Sequence, residues 1–296
     1  MMTPYEEKTP VIYFAQMAMD CYNDPKDDEY RKQFNKLWIK ADQYPKNSWG
    51  IARNIGKPSS ADEDPKTGFY ANFYLNHVTN VGVMAIRGTD SLLDGLADVT
   101  YILSKAIEQY DQAIRYFESL KSRYSDMKKF YICGHSLGGI VAKMIFPRTK
   151  VNTIAFNSPG VVQYLKENNK PYVKSGSSDA RCVPMIDPYA ITYCANGDPI
   201  GNLRHDNDVG AYKWLPVLGE ERIPDQADKI DRKNLIKGLL DASTGIFDGN
   251  VDEYKKGVNE IPEFDKAAYF ARLVKYHGMD DLYTALKQSS YKNDRV

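Results

Sequence analysis

Residues 128–141 read Lys-Lys-Phe-Tyr-Ile-Cys-Gly-His-Ser-Leu-Gly-Gly-Ile-Val, and one of them, Ser136, is set up to act as a nucleophile. A serine hydroxyl attacks a carbonyl carbon when it is presented to the substrate and a base can take its proton. Presentation is the job of a sharp strand-to-helix turn of the form Gly-x-Ser-x-Gly, a nucleophile elbow. Here Phe130 to Cys133 is a short β-prone run, Gly134-His135-Ser136-Leu137-Gly138 is the turn, and Ile140 to Phe146 is an apolar helical stretch. A side chain at Gly134 or Gly138 would run into the neighbouring strand or helix in so tight a turn. The helix start behind Ser136 adds free N–H groups and a positive dipole end, both suited to an oxyanion. Three fixed positions also recur by chance, so the strand before and the helix after carry much of the weight.

Chemistry at such a serine needs a base, an acid that orients the base, and donors for the developing oxyanion. With an elbow of this kind the chain order is Ser, then Asp or Glu, then His. Ile191 to Ala195 reads as a strand that runs through Asn196-Gly197 to Asp198-Pro199, which makes Asp198 the candidate acid. The plainer use of an Asp-Pro pair is to start a turn. The chain has four histidines. His135 flanks the nucleophile, its ring expected to point away from the direction of attack. His77 precedes the serine and falls in an expected hairpin loop, and His205 follows Asp198 too closely for an element to intervene. His277, after the amphipathic stretch Ala267 to Tyr276 and before Gly278, is the favoured base, with His205 as the alternative. One oxyanion donor is expected from the N–H of Leu137, the residue after the nucleophile. The second is expected from Thr89, by N–H and hydroxyl, in the loop that follows the run from Val83 to Ile86.

These groups need elements to hold them. Thr9-Pro10 reads as a helix N-cap followed by proline at the first helical position, opening an apolar stretch from Val11 to Tyr22. A polar segment follows to about Lys66, interrupted by Phe34, Leu37 and Trp38, which suggest a short helix. Gly68 to Leu75 and Val81 to Ile86 read as two strands joined at Asn76 to Asn80. Ile107 to Tyr124 carries apolar residues at helical spacing, and Val151 to Phe156 and Ala190 to Ala195 read as further strands. Strands alternating with helices imply a mainly parallel sheet covered on both faces. Asn202 to Lys275 is less regular, with expected helices at Arg232 to Ala242 and Phe264 to Tyr276. The expectation is therefore one α/β domain over residues 1–296, with a helical excursion at about 203–275 and a polar, exposed loop at Gly201 to Asp208.

Composition narrows the partners. The 39 basic and 39 acidic residues cancel, so charge makes no case for nucleic acid. No run of 18 or more apolar residues occurs, so a transmembrane helix is not expected. Met1 to Lys8 carries acidic residues and lacks the apolar core of a secretory signal, so a cytoplasmic protein, or one exported without such a peptide, is expected. The four cysteines, Cys21, Cys133, Cys182 and Cys194, show no metal-ligand spacing. Cys133 reads as a packed thiol. Cys182 and Cys194 could pair in an oxidising compartment, though reduced thiols are favoured.

Arg87-Gly88-Thr89, Asp98, Gly134-His135-Ser136-Leu137-Gly138-Gly139, Asn157-Ser158-Pro159-Gly160 and Asp198-Pro199 stand in the order and approximate spacing of the class 3 lipases, the fungal triacylglycerol lipase-like family. The chain also resembles bacterial members of that group that lack a secretion signal, and Gln109 to Ala113 looks like the helix before the family's nucleophile strand. The likeness runs from about residue 10 to 210 and is strongest over 81–160. It implies an α/β-hydrolase fold and cofactor-free ester hydrolysis, with Ser136, Asp198 and a histidine as triad and Thr89 and Leu137 as oxyanion hole. It also implies a mobile lid at Ser91 to Ala97, where Leu92, Leu93 and Leu96 suit acyl chains or, equally, ordinary packing. A tryptophan frequent in such lids is Gly95 here, so the likeness does not extend to interfacial activation. The expected activity is hydrolysis of a carboxylic ester of a lipid, in contact with a membrane surface. Triacylglycerol, phospholipid and lysophospholipid are not separated. The competing readings are acyl transfer to an alcohol or protein acceptor, and a binding module that keeps the fold without turnover.

Overall fold

The computed structural model describes residues 9–22, 27–40, 67–76, 78–88, 99–171, 189–196, 198, 200–201, 208–215 and 277–294. Among them seven strands form one sheet whose spatial order is the chain order: β1 (Trp38–Lys40), β2 (Ala71–Asn76), β3 (Val81–Ile86), β4 (Lys129–His135), β5 (Asn152–Phe156), β6 (Ala190–Ala195) and β7 (Ala211–Leu215). β1–β2 and β2–β3 pair antiparallel and every later pair is parallel. The β2–β3 turn is built by asparagine. The Asn76 carboxamide oxygen accepts the N–H groups of Val78 and Thr79 at 3.0 and 3.1 Å. Asn80 takes the left-handed conformation at φ 54°, which a short polar side chain tolerates.

The strands alternate between two apolar clusters. Met84, Ile86 and Ile132 point to one face, and Val81, Val83, Ala85, Tyr131 and Cys133 to the other. Parallel strands that follow one another in order, joined by right-handed crossovers, put their helices on a single face. On that first face lie α3 (Val99–Arg123), α4 (Leu137–Thr149) and the short α5 (Val162–Glu167). The second face must be covered by something else, and the two ends of the chain do it: α1 (Val11–Asp20) and α6 (Met279–Gln288). All ten residues of α1 are buried, and its two polar side chains, Gln16 and Asp20, are hydrogen-bonded there. Full burial of a side chain such as Phe14 contributes about 1.5–3 kcal/mol. The ends are also stitched together. The Val11 N–H donates to the Asp294 carbonyl at 2.9 Å, and the Gln16 amide donates to the Tyr283 hydroxyl at 2.8 Å. His277, just before α6, is thereby held over the sheet.

Several elements differ from the sequence-based expectation. Helix α1 starts at Val11, with Pro10 outside it in extended backbone (ψ 137°) and no side-chain cap. Helix α2 (Glu29–Leu37), capped by the Asp28 carboxylate on the Arg31 N–H at 3.0 Å, ends where Trp38 opens the unexpected strand β1. Helix α3 begins at Val99, well before Ile107. Strand β7 lies inside the stretch expected to be a helical excursion. Gly210, at φ 104°, turns the chain onto the sheet edge, and Tyr212 and Leu215 point inward. Two buried residues three apart face opposite sides of the sheet and give no period of two. The expected helices at 232–242 and 264–276 lie outside the described residues. No helix among the described residues is long and apolar enough to cross a membrane. A mainly parallel sheet, helices on both faces and a tight turn after a central strand make this an α/β-hydrolase fold.

Candidate active site

Ser136 sits between β4 and α4 at φ 54° and ψ −123°, a backbone conformation that L-residues rarely adopt. The surroundings enforce it. A Cβ on Gly134 would lie 2.4 Å from the Gly138 carbonyl carbon, and one on Gly138 would lie 2.2 Å from the Ile86 carbonyl oxygen. The Ser136 N–H donates to the Phe156 carbonyl of β5 at 3.0 Å, and the Ser136 carbonyl takes the first helical bond, from the Ile140 N–H at 3.0 Å. Leu137 is the first residue of α4, where N–H groups have no intrahelical acceptor.

Asp198 follows β6 on a turn closed by its own N–H donating to the Ala195 carbonyl at 3.0 Å. Its carboxylate is fully buried and fixed by two backbone donors, Ile200 N–H at 3.1 Å and Gly201 N–H at 2.9 Å. His277, 1% exposed, stands between acid and serine. Its Nδ1 lies 3.0 Å from Asp198 Oδ1 and its Nε2 lies 2.8 Å from Ser136 Oγ. A carboxylate oxygen accepts, so Nδ1 carries the hydrogen and Nε2 is free to accept from the serine hydroxyl. Three residues far apart in sequence thus form one hydrogen-bonded line.

The structure brings Ser136, Asp198, His277 and the start of α4 at Leu137 together. Thr89, Leu92, Leu93, Leu96 and His205 lie outside the described residues, as do His77 and Cys182. Cys21, Cys133 and Cys194 are buried free thiols, and burial pushes Cys133 and Cys194 well above the usual thiol range. Among the described residues no group of three or more His, Cys, Asp or Glu side chains could hold a metal ion.

Two features around the line escaped the sequence reading. His135 is buried, donates from Nε2 to the His277 carbonyl at 2.7 Å and contacts the Tyr22 hydroxyl through Nδ1 at 3.0 Å. Burial, followed by the neighbouring His277, pushes its pKa down to about 3, against the pull of the carbonyl hydrogen bond. Asn157 also donates to the His277 carbonyl, at 3.2 Å, while its carboxamide oxygen accepts the Ala195 N–H at 2.9 Å. The second feature is an ion pair. Lys143 of α4, 0% exposed, meets Asp208 Oδ2 at 2.7 Å and donates to the Pro159 carbonyl at 2.6 Å and the Ser158 carbonyl at 3.2 Å. Asp208 Oδ1 accepts the Val161 N–H at 3.0 Å. The segment expected to be exposed at 201–208 therefore has both ends, Gly201 and Asp208, buried. A lone lysine in the apolar run Ile140 to Phe146 was the available signal, because a buried ammonium requires a partner.

The extracellular phospholipase A1 of Serratia liquefaciens is 34% identical to this chain over 101 residues, which is 34% of this chain and 30% of that protein. The chain thus spans less than a third of the length of that relative. Among solved structures, the Lip2 lipase of Yarrowia lipolytica is 17% identical, with a TM-score of 0.41 over 69% of this chain and 77% of that one. Lipase II from Rhizopus niveus is 10% identical, with a TM-score of 0.44 over 69% and 78%. A family model described as the Tle-like phospholipase domain matches residues 15–228, a segment that takes in the elbow and Asp198 and ends before His277. With most of its length inside that match, the chain belongs to the Tle-like phospholipase domain family.

Proposed function

We propose that this protein is a serine hydrolase that cleaves carboxylic esters of lipids, of phospholipase A or lipase type, through an acyl-enzyme on Ser136. The observation that supports this reading most is the position of His277, within hydrogen-bond reach of both Ser136 and Asp198. As the Ser136 oxygen bonds to the ester carbonyl carbon, its proton passes to His277 Nε2, and the Asp198 carboxylate stabilises the imidazolium. The carbonyl oxygen becomes an oxyanion, received by the Leu137 N–H and by Thr89. Collapse breaks the bond to the alcohol, which leaves with the proton from His277. Water then repeats the sequence on the acyl-enzyme and releases the fatty acid. Every step uses protein groups and water.

The family and the Serratia relative favour phospholipid as the lipid. Cleavage at a membrane surface, with Leu92, Leu93 and Leu96 against the acyl chains, belongs to the same proposal and rests on the sequence alone. The test is fatty-acid release by purified protein from phosphatidylcholine and phosphatidylglycerol vesicles, triacylglycerol emulsions and short-chain esters, with Ser136→Ala as control. Release from phospholipid that depends on Ser136 is expected. Release that persists in Ser136→Ala, or no release from any of these esters, contradicts the reading.

A further inference from the structure

We propose that Tyr22 and His135 are positioning residues for the ester hydrolysis inferred above, forming a hydrogen-bond relay that locks the Gly88 turn to the backbone of His277. The proposal rests on that reading, with His277 as base. The links run in one direction. The Gly88 N–H donates to the Tyr22 hydroxyl at 2.9 Å, the Tyr22 hydroxyl donates to His135 Nδ1 at 3.0 Å, and His135 Nε2–H donates to the His277 carbonyl at 2.7 Å. A carbonyl can only accept, so Nε2 must carry the hydrogen and Nδ1 must accept; one neutral tautomer satisfies the whole chain. A protonated ring would turn Nδ1 into a donor and reverse the Tyr22 link. Burial keeps the ring neutral.

The relay spans the two places where charge develops. Gly88 immediately precedes Thr89, the expected oxyanion donor, and it packs directly on the elbow. A Cβ at Gly88 would lie 2.2 Å from the Tyr22 hydroxyl oxygen, 2.7 Å from the His135 carbonyl and 3.3 Å from Ser136 Cβ. At the other end, the imidazolium forms on the residue whose carbonyl His135 holds. The rings support the line, with centroids 5.7 Å apart for Tyr22 and His135 and 5.1 Å apart for His135 and His277. The Gly88 turn and the His277 segment come from distant parts of the chain. Misplacing one against the other by about 1 Å can cost about 100-fold in rate. Asn157 still holds the His277 carbonyl when His135 is altered, so the expected loss is smaller, about tenfold for a single link.

The test compares the full chain with Tyr22→Phe, His135→Gln and the double variant, using a short-chain p-nitrophenyl ester. Active sites are counted with a fluorophosphonate, so that misfolded protein does not enter the rate. Tyr22→Phe keeps the ring and removes the hydroxyl. His135→Gln keeps an N–H for the His277 carbonyl and breaks the link to Tyr22. Each single variant is expected to lower kcat per titrated site about tenfold with KM unchanged, and the double variant to be no worse than the poorer single one. A wild-type kcat in Tyr22→Phe, effects that multiply in the double variant, or a loss that vanishes on counting active sites overturns the relay alone. Wild-type protein without Ser136-dependent turnover rejects the hydrolase reading, and the relay with it.

Discussion

Protonation of His135 gives the structure a measurable pH dependence. In the folded protein its pKa is down to about 3, first because burial disfavours the charged ring and second because His277 lies beside it. In the unfolded chain the ring returns to about 6.5. Between those values the unfolded state binds a proton that the folded state does not. Stability therefore rises with pH across this window and is lost as pH falls from about 6.5 towards 3. Each pH unit inside the window costs about 1.4 kcal/mol. Moving from pH 7 to pH 5 thus removes about 2 kcal/mol through this one residue, a large part of the roughly 5–15 kcal/mol that holds a typical domain together. The assay is urea unfolding followed by tryptophan fluorescence at both pH values, for wild type and His135→Gln. Other titrating groups are common to the two proteins and drop out of the comparison. Wild type is expected to lose about 2 kcal/mol more than His135→Gln between pH 7 and pH 5. A gap between the two proteins that stays the same within about 0.5 kcal/mol would refute a His135 held neutral by burial.

Other variants probe the supports of the site. Lys143→Met strands the Asp208 carboxylate in the interior and should cost about 3–5 kcal/mol in urea unfolding, with much of it recovered in Lys143→Met/Asp208→Leu; a loss under about 1 kcal/mol would show the pair to be dispensable. Gly138→Ala sets a methyl group 2.2 Å from the Ile86 carbonyl, so stability should fall by about 1–3 kcal/mol, and a variant as stable as wild type would contradict the tight elbow. Thr89→Ala should lower kcat, towards about 100-fold, with little change in KM; an unchanged kcat would leave only its backbone N–H as a donor.

What could be read from the sequence follows the range of the interactions involved. The elbow was legible because its chemistry is local: Gly134, Ser136 and Gly138 must share one turn, and a β-prone run and an apolar helix flank them. Strands β2 to β6 were legible because they are largely buried and rich in apolar, β-prone residues. Strand β1, three residues long, and β7, with two inward residues, lie at the sheet edges, where partner strands supply the order that their own pattern lacks. Which elements cover the second face was not written in any one segment. It follows from the strand order, which leaves that face open to the chain ends. The Tyr22–His135–His277 line and the Lys143–Asp208 pair are tertiary in the same sense. Only the misfit of Lys143 in an apolar helix hinted at either one.

Whether the Ser136 oxygen forms the covalent bond to the acyl carbon is read by mapping the adduct of an active-site label. The protein is treated with an alkyl fluorophosphonate, digested, and its peptides weighed by mass spectrometry. One stoichiometric adduct is expected on Ser136, absent from Ser136→Ala and formed far more slowly in His277→Ala, which lacks the base. An adduct on any other residue, or undiminished labelling of Ser136→Ala, would contradict Ser136 as the nucleophile.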